Sequence, residues 1–394
     1  MTNDFSFIDR EHFRSTPKQK VLDTFTLGSG AITSMATLRL NGDLAVMAGA
    51  CCHQSAEYNR PGELQFICRE SKQSLKVDGH FTDPLNRRTV SSVKTHGDTF
   101  VSAGYDGCLC GWSFIDGQLE RVFRAALSSK PILDFSPVGN GRFVYGTPGQ
   151  LAICTVDADS NALPFETIFT LPWTPKPGVN SVDRVHAISE KDVLALIGLH
   201  AASRTGRLEV WDVESLVSKA TITSMHGLSA MALSDQLTAV ASGSVLDSMI
   251  GDGQVHLHTL LGGSYSPAFT ISTAHLDVDA MCFSPDGRFL AIGDARDHRW
   301  SVWDCCFPKA PLVMAGQCRT GDGICDDTLS LAFSPDGVYL YAGGHDAQLY
   351  KVPLGNASPC QVTPVASSIT SIVVDDYDLV IVGTEGGHVH FIGW

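Results

Sequence analysis

The stretch from Ala274 to Asp304 constrains the fold more than any other. It holds an apolar run from Val278 to Phe283, the tetrapeptide Ser284-Pro285-Asp286-Gly287, a second run ending Ala291-Ile292-Gly293, a polar break, and Trp300 to Asp304. In Ser-Pro-Asp-Gly, Pro presets φ, Asp bonds the local backbone and Gly takes the positive φ of a tight hairpin. The flanking runs have strand length and no helical period. The expected unit is a sheet of three or four short antiparallel strands, too small to bury its own faces. It therefore needs neighbours of the same kind.

The unit recurs. Ser334-Pro335-Asp336-Gly337 repeats the turn, and strand-length segments begin anew near residues 31, 89, 131, 181, 228, 278, 328 and 369. The last unit (Ile369–Val374, Leu379–Gly383, His388–Ile392) is one strand short. A segment with no partner of its own, residues 20–27, precedes the first unit. Pairing it with the last unit would close a ring and remove two exposed sheet edges.

The order His275, Phe283-Ser-Pro-Asp-Gly287, a Gly-ended strand and Trp303-Asp304 resembles the WD-repeat, the blade of a β-propeller. The resemblance implies an all-β fold: a single WD40-type propeller over residues 20–394, preceded by an arm at 1–19. The expected count is eight blades, closed by strand 20–27. The alternative is seven, the family's commonest number. Many such repeats carry a buried His, Ser/Thr, Asp and Trp tetrad. The second blade supplies His80, Ser102, Asp106 and Trp112; the sixth supplies His275, Asp297 and Trp303, with Ile292 where the hydroxyl belongs.

With 18% charged and 44% apolar residues the composition suits many short buried strands. The formal net charge of −14 argues against direct nucleic-acid binding and fits a partner with a basic segment. The 12 cysteines include no Cys-x-x-Cys pair and read as small buried hydrophobes in a reducing compartment. A zinc site from Cys318 and Cys325 is the weaker reading. There is no apolar run near the length of a membrane span, so the expectation is a soluble eukaryotic protein of the cytoplasm or nucleus.

Nothing in the pattern calls for catalysis, a cofactor or a metal. Ser102 falls inside a strand, not on the exposed elbow a nucleophile needs. His256-x-His258 and His388-x-His390 read as strand faces, not ligand pairs. Aligning the innermost strands gives the column Ser34, Ser92, Ile132, Arg184, Ala230, Ala280, Ser330 and Ser371. Small residues belong where strands converge on a channel, so Arg184 stands out. It is an anion anchor, a partner of Asp183 or Asp134, or a residue misaligned with the column.

The long irregular pieces are 50–61, 78–88, 172–178, 200–205, 244–251 and 317–327. All fall between second and third strands or between blades, and in the family both loop classes share one "top" rim. Insertions gathered on one face build a binding surface. The residues expected to meet a partner there are Tyr58, Arg60, Arg87, Arg88, Trp173, Arg204 and Met249, with Arg184 in the channel. The expectation is thus a non-catalytic scaffold that binds a protein or peptide segment as a subunit of a larger complex. One alternative is a substrate receptor of a ubiquitin ligase, although Val213-Glu214 and Cys305-Cys306 follow the two Trp-Asp pairs where such receptors often carry x-Arg. The other is a propeller enzyme or small-molecule binder using the channel.

Overall fold

The computed structural model describes residues 19–26, 30–52, 63–83, 86–156, 165–170, 180–200, 205–224, 227–234, 237–242, 253–261, 264–275, 278–294, 298–307, 312–318, 329–354 and 361–393. These residues form eight four-stranded antiparallel sheets and one two-stranded hairpin. Seven sheets use four consecutive strands each. Blade 2, for example, runs Val90–His96, Thr99–Gly104, Cys108–Ile115 and Gln118–Ala126. The inner strand of each blade touches the next, save that in blade 4 it is the second strand, Asp192–His200, that meets Leu228–Leu233 of blade 5; Ile32–Leu40 of blade 1 contacts both Ile369–Val374 and Val380–Thr384 of blade 8.

The eighth sheet is completed by Lys20–Phe25, which pairs antiparallel with Val389–Gly393, from Lys20 opposite Gly393 to Phe25 opposite Val389. Side chains lock this seam. The Thr24 hydroxyl meets His390 Nδ1 at 2.9 Å, and the Phe25 ring packs edge-on against Phe391 at 5.7 Å. Asp23 pairs with Arg69 and Lys72 of blade 1. The closing strand expected from the sequence is therefore in place, ending at Phe25. Of the expected arm at 1–19, only Gln19 lies among the described residues.

No sheet carries a core of its own. The apolar clusters lie between successive sheets: Phe66 and Val93 join blades 1 and 2, Ala125 and Phe143 join 2 and 3, and Ile381 and Ile32 join 8 and 1. This is the packing that the shortness of each sheet demands. The turns follow their chemistry. Ser284 donates to Asp286 at 2.5 Å and accepts the Phe289 amide at 2.8 Å, and Ser334, Asp336 and Tyr339 repeat the pattern. Gly287 and Gly337 both sit at φ +69°.

Two hydroxyl rules stitch the inner strands together. Thr33, Ser91 and Ser229 donate to the carbonyls of Val90, Ile132 and Val278 in the next blade, at 2.5–2.6 Å. One residue further on, Ser34 and Ser330 accept the amides of Val93 and Ile372 across the same gap, at 3.0 and 3.1 Å. Asp134 does likewise for Val185 at 2.9 Å. These bonds place Asp134, not Ile132, in the channel column. Ile132 is fully buried and aligns with Val90 and Val278, so that member of the expected column is corrected.

Candidate docking rim and channel

The tetrad of blade 2 is complete. His80 Nδ1 lies 2.8 Å from Asp106 Oδ1, His80 Nε2 lies 2.9 Å from Ser102 Oγ, and Trp112 Nε1 donates to that oxygen at 3.1 Å. A carboxylate only accepts, so Nδ1 carries the proton; Nε2 then accepts from Ser102, whose remaining lone pair takes the indole N–H. Burial pushes the Asp106 carboxyl up, but His80 and the Cys108 amide outweigh it and hold it below its ordinary value. Ser102 is wholly enclosed, with no access for a substrate. The set ties strands together.

Blade 6 builds the same link from a different strand. His275 Nε2 and Trp303 Nε1 both meet Ser301 Oγ at 2.8 Å. Ser301 pairs across the ladder with Ile292, as Cys110 pairs with Ser102 in blade 2. The hydroxyl has crossed the rung. In blade 4 the same place holds Glu209, which accepts from Trp211 Nε1 at 2.8 Å and pairs with Arg207 at 2.6 Å. Sequence reasoning missed Ser301 and Glu209; a polar residue two before the Trp was the available signal. Asp297 lies outside the described residues.

The histidine pairs build no ligand cluster among the described residues, although the His388 and His390 rings lie 5.9 Å apart. His258 stacks on Tyr265 at 5.2 Å with both ring nitrogens buried and unpartnered among the described residues, while His256 meets Thr270. Burial, with a smaller contribution from His256, lowers the His258 pKa to about 4. His390 is committed to the closing strand. Among the described residues no three His, Cys, Asp or Glu side chains gather as for a metal. Cys318 is buried, and Cys325 lies outside the described residues.

Strand bounds fix where the long connections open. In an antiparallel sheet successive turns alternate rims, so links from second to third strand share a rim with links between blades. The former class includes 51–63, 201–204 and 243–253; the latter includes 78–89, 171–181 and 318–328. The opposite rim is less uniform than expected. Its first-to-second turns are short, but the third-to-fourth links 156–164, 305–311 and 354–360 are not.

Of the rim residues singled out from the sequence, Tyr58, Arg60, Trp173, Arg204 and Met249 lie outside the described residues. Arg87 and Arg88 end an unforeseen small hairpin, Phe81–Asp83 with Asn86–Arg87. The Arg87 guanidinium is 3.1 Å from Asp78 and 3.8 Å from Glu63, with its side chain 14% exposed. Glu63 in turn accepts the amides of Gly79 and His80, and burial, reinforced by Asp78, raises its pKa. Arg87 is thus spent on bracing the insertion against the tetrad. Arg88 is half-buried, its amide donating to the His80 carbonyl and its Nε unpartnered among the described residues.

In the channel, Asp134 pairs with Lys94 at 2.9 Å. Its burial favours the neutral acid, yet Lys94, Arg184 and the Val185 amide hold its pKa below the ordinary value. Arg184 itself is exposed, and its Nη1 reaches the Asp183 carbonyl at 3.3 Å. It makes neither of the two ion pairs offered as its structural explanation. It lines a pocket of about 270 Å³ with Ala230, Met231, Asp279, Ala280 and Ser330, among others.

A closed ring of small antiparallel sheets, cores between them and a channel along the axis, is a β-propeller. Solved propellers superpose on nearly the whole chain. "Structure of Dos1 propeller" gives a TM-score of 0.76 at 15% identity, over 95% of each chain. The computationally designed Ika8 protein gives 0.66 at 16%, over 94% of this chain and 99% of that one. Chaetomium thermophilum Sqt1 bound to the N-terminus of the ribosomal protein L10 gives 0.68 at 15%, over 95% and 99%. Residues 266–304 and 318–350 match the model of the WD domain, G-beta repeat. The chain is a β-propeller, two stretches of which match the WD repeat. No curated protein sequence matches it.

Proposed function

We propose that this propeller is a non-catalytic docking scaffold that holds a protein or peptide segment on the rim formed by its second-to-third-strand and inter-blade loops. The carrying observation is the sorting of connections: the five longest links, 51–63, 78–89, 171–181, 243–253 and 318–328, all open on that rim, while the longest opposite, 156–164, 305–311 and 354–360, are shorter. A rigid ring lets loops vary without disturbing the core, and the chain's tetrads are spent on holding strands. Sqt1, a propeller of the same fold, is bound to the N-terminus of a ribosomal protein, which shows that such a ring can take a chain terminus. The net charge of −14 favours a partner with a basic segment, by steering at long range. Work within a larger cytoplasmic or nuclear assembly belongs to the same proposal.

Tyr58, Trp173, Arg204 and Arg88 are the residues of choice on this rim, because aromatic and Arg side chains dominate interface energies. Affinity capture from cell extract, wild type against a Tyr58→Ala/Trp173→Ala double variant, tests the reading. Loss of specific partners with the fold intact is expected. An unchanged set of partners removes the rim from consideration and leaves the propeller standing.

A further inference from the structure

Along the innermost strands the charges that face the channel fall mainly on blades 2 to 4, with Asp279 of blade 6 the further one in the pocket. Blades 2 to 4 present Lys94, Asp134 and Arg184, whereas the column positions of blades 5 to 8, 1 and 2 are Ala230, Ala280, Ser330, Ser371, Ser34 and Ser92. Lys94 and Asp134 satisfy one another at 2.9 Å, and the other Asp134 oxygen takes the Val185 amide. Asp183 accepts the Ser181 hydroxyl at 2.5 Å. Arg184 forms no direct ion pair among the described residues: it reaches the Asp183 carbonyl at 3.3 Å and acts on the Asp134 and Asp183 carboxyls only at longer range.

A guanidinium offers five N–H donors in a planar fork shaped for two carboxylate oxygens. Arg184 lines the pocket of about 270 Å³, and two of the other lining residues, Ala230 and Ala280, are small. The size falls just below the roughly 300–1,000 Å³ of cofactor and drug sites, and suits a side chain or chain end. The charge of the intended group is also bounded. Asp279 lines the same pocket, so a dianion such as phosphate would meet about twice the repulsion that a single carboxylate meets.

We propose that Arg184 anchors a carboxylate presented to the channel by the docked segment. This rests on the scaffold reading and adds the chemistry of one contact: a monoanionic group at Arg184, independent of the basic character that steers the partner in.

Met231 and Met281 flank the pocket and report on it directly. Methyl-13C-methionine spectra of the full chain, which has 8 methionines, would be followed at low salt. The probes are N-acetyl-glutamate N-methylamide, N-acetylglycine, succinate and the neutral N-acetyl-glutamine N-methylamide. The expected result is saturable shifts of the Met231 and Met281 methyls with at least one acid, at least tenfold weaker with the glutamine analogue and with the Arg184→Gln protein, and partly retained in Arg184→Lys. Tightest saturation by the glutamyl probe assigns a partner's acidic side chain and by N-acetylglycine a chain terminus, whereas tightest saturation by succinate, a free dianion, would overturn the proposal. Equal shifts with the glutamine analogue, titrations unchanged by Arg184→Gln, or no response to any acid would overturn the proposal. Remaining methionine methyls held at their wild-type positions show that each variant is folded. The probes need no partner, so partner capture unaltered in the Tyr58/Trp173 variant defeats the rim reading while this measurement stands or falls separately.

Discussion

Removing the Asp106 carboxylate should cost far more than an ordinary surface substitution, and the structure says why. Its side chain is 1% exposed. Oδ1 takes His80 Nδ1 at 2.8 Å and the Cys108 amide at 3.2 Å, and Oδ2 takes Arg124 at 3.1 Å. Asp106→Ala leaves the enclosed His80 N–H and the Cys108 N–H without acceptors, at about 1–3 kcal/mol for each buried orphan. Together with the lost ion pair, the loss falls in the range of about 3–5 kcal/mol seen when one partner of a buried pair is deleted. Asp106→Asn keeps an oxygen toward His80 and loses the charge facing Arg124, so it should cost about 1–2 kcal/mol.

Equilibrium urea unfolding followed by far-ultraviolet circular dichroism measures both. The Ser102→Ala and Asp106→Ala effects should not add, because His80 joins the two groups; a coupling of about 0.5–3 kcal/mol is expected. The carboxyl is held below its ordinary value in the fold, so the unfolded chain takes up its proton first as the pH drops. Its contribution is therefore full above the unfolded pKa and lost as pH falls through the folded one. The gap between wild type and Asp106→Asn should accordingly narrow below about pH 4. A cost for Asp106→Ala within 1 kcal/mol of zero, or strict additivity with Ser102→Ala, would show that the tetrad is not a connected unit.

Deleting residues 1–26 leaves the Val389–Gly393 edge open, and size-exclusion chromatography should show oligomers or aggregate in place of a monomer. A Cβ at Gly107, where φ is +75°, would lie 1.9 Å from the Ser128 carbonyl oxygen, whereas one at Gly117, where φ is +82°, meets nothing within 4 Å. Gly117→Ala should thus cost only the roughly 1–2 kcal/mol of the left-handed backbone, and Gly107→Ala clearly more, by the same unfolding assay. Ser301→Ala should cost about 1–3 kcal/mol by orphaning the Trp303 N–H, and Ile292→Ala should not reproduce its effect on Trp303 fluorescence. His258, with its pKa lowered to about 4, stays neutral in the fold while the unfolded chain protonates below about 6.5; stability should fall from there toward pH 4, and His258→Phe should flatten that slope in urea midpoints measured against pH.

Much of this fold is legible because its signals are periodic. Turn chemistry at 284–287 and 334–337, strand-length apolar runs and a last unit lacking one strand together locate the sheets and name the segment that closes them. The third-blade column was misread for a specific reason. Ile132 and Asp134 stand two apart on one strand, and a slip of two residues leaves every side chain on the same face. Hydrophobic alternation is blind to that slip. Only the bonds between neighbouring blades, Ser91 to the Ile132 carbonyl and the Val185 amide to Asp134, decide it, and they join residues 41 and 51 positions apart.

The missed tetrad hydroxyl has a different cause. Ser102 and Cys110 face each other across one ladder rung, as do Ile292 and Ser301. An oxygen on either strand of the rung stands within reach of the same imidazole and indole, so the blade's need is for one acceptor at a point in space, not for a serine at one spacing. Spacing rules read only one of the two solutions. The rim resists reading more deeply still, since its loops obey no period and their residue types alone select Tyr58, Trp173 and Arg204. Arg184 was visible from sequence for the opposite reason: it interrupts a column that convergence on an axis keeps small. A large charged side chain held there with no direct ion pair among the described residues is a departure that packing does not require, which is why the channel, and not the better-ordered tetrads, is where the chemistry of a partner is to be sought.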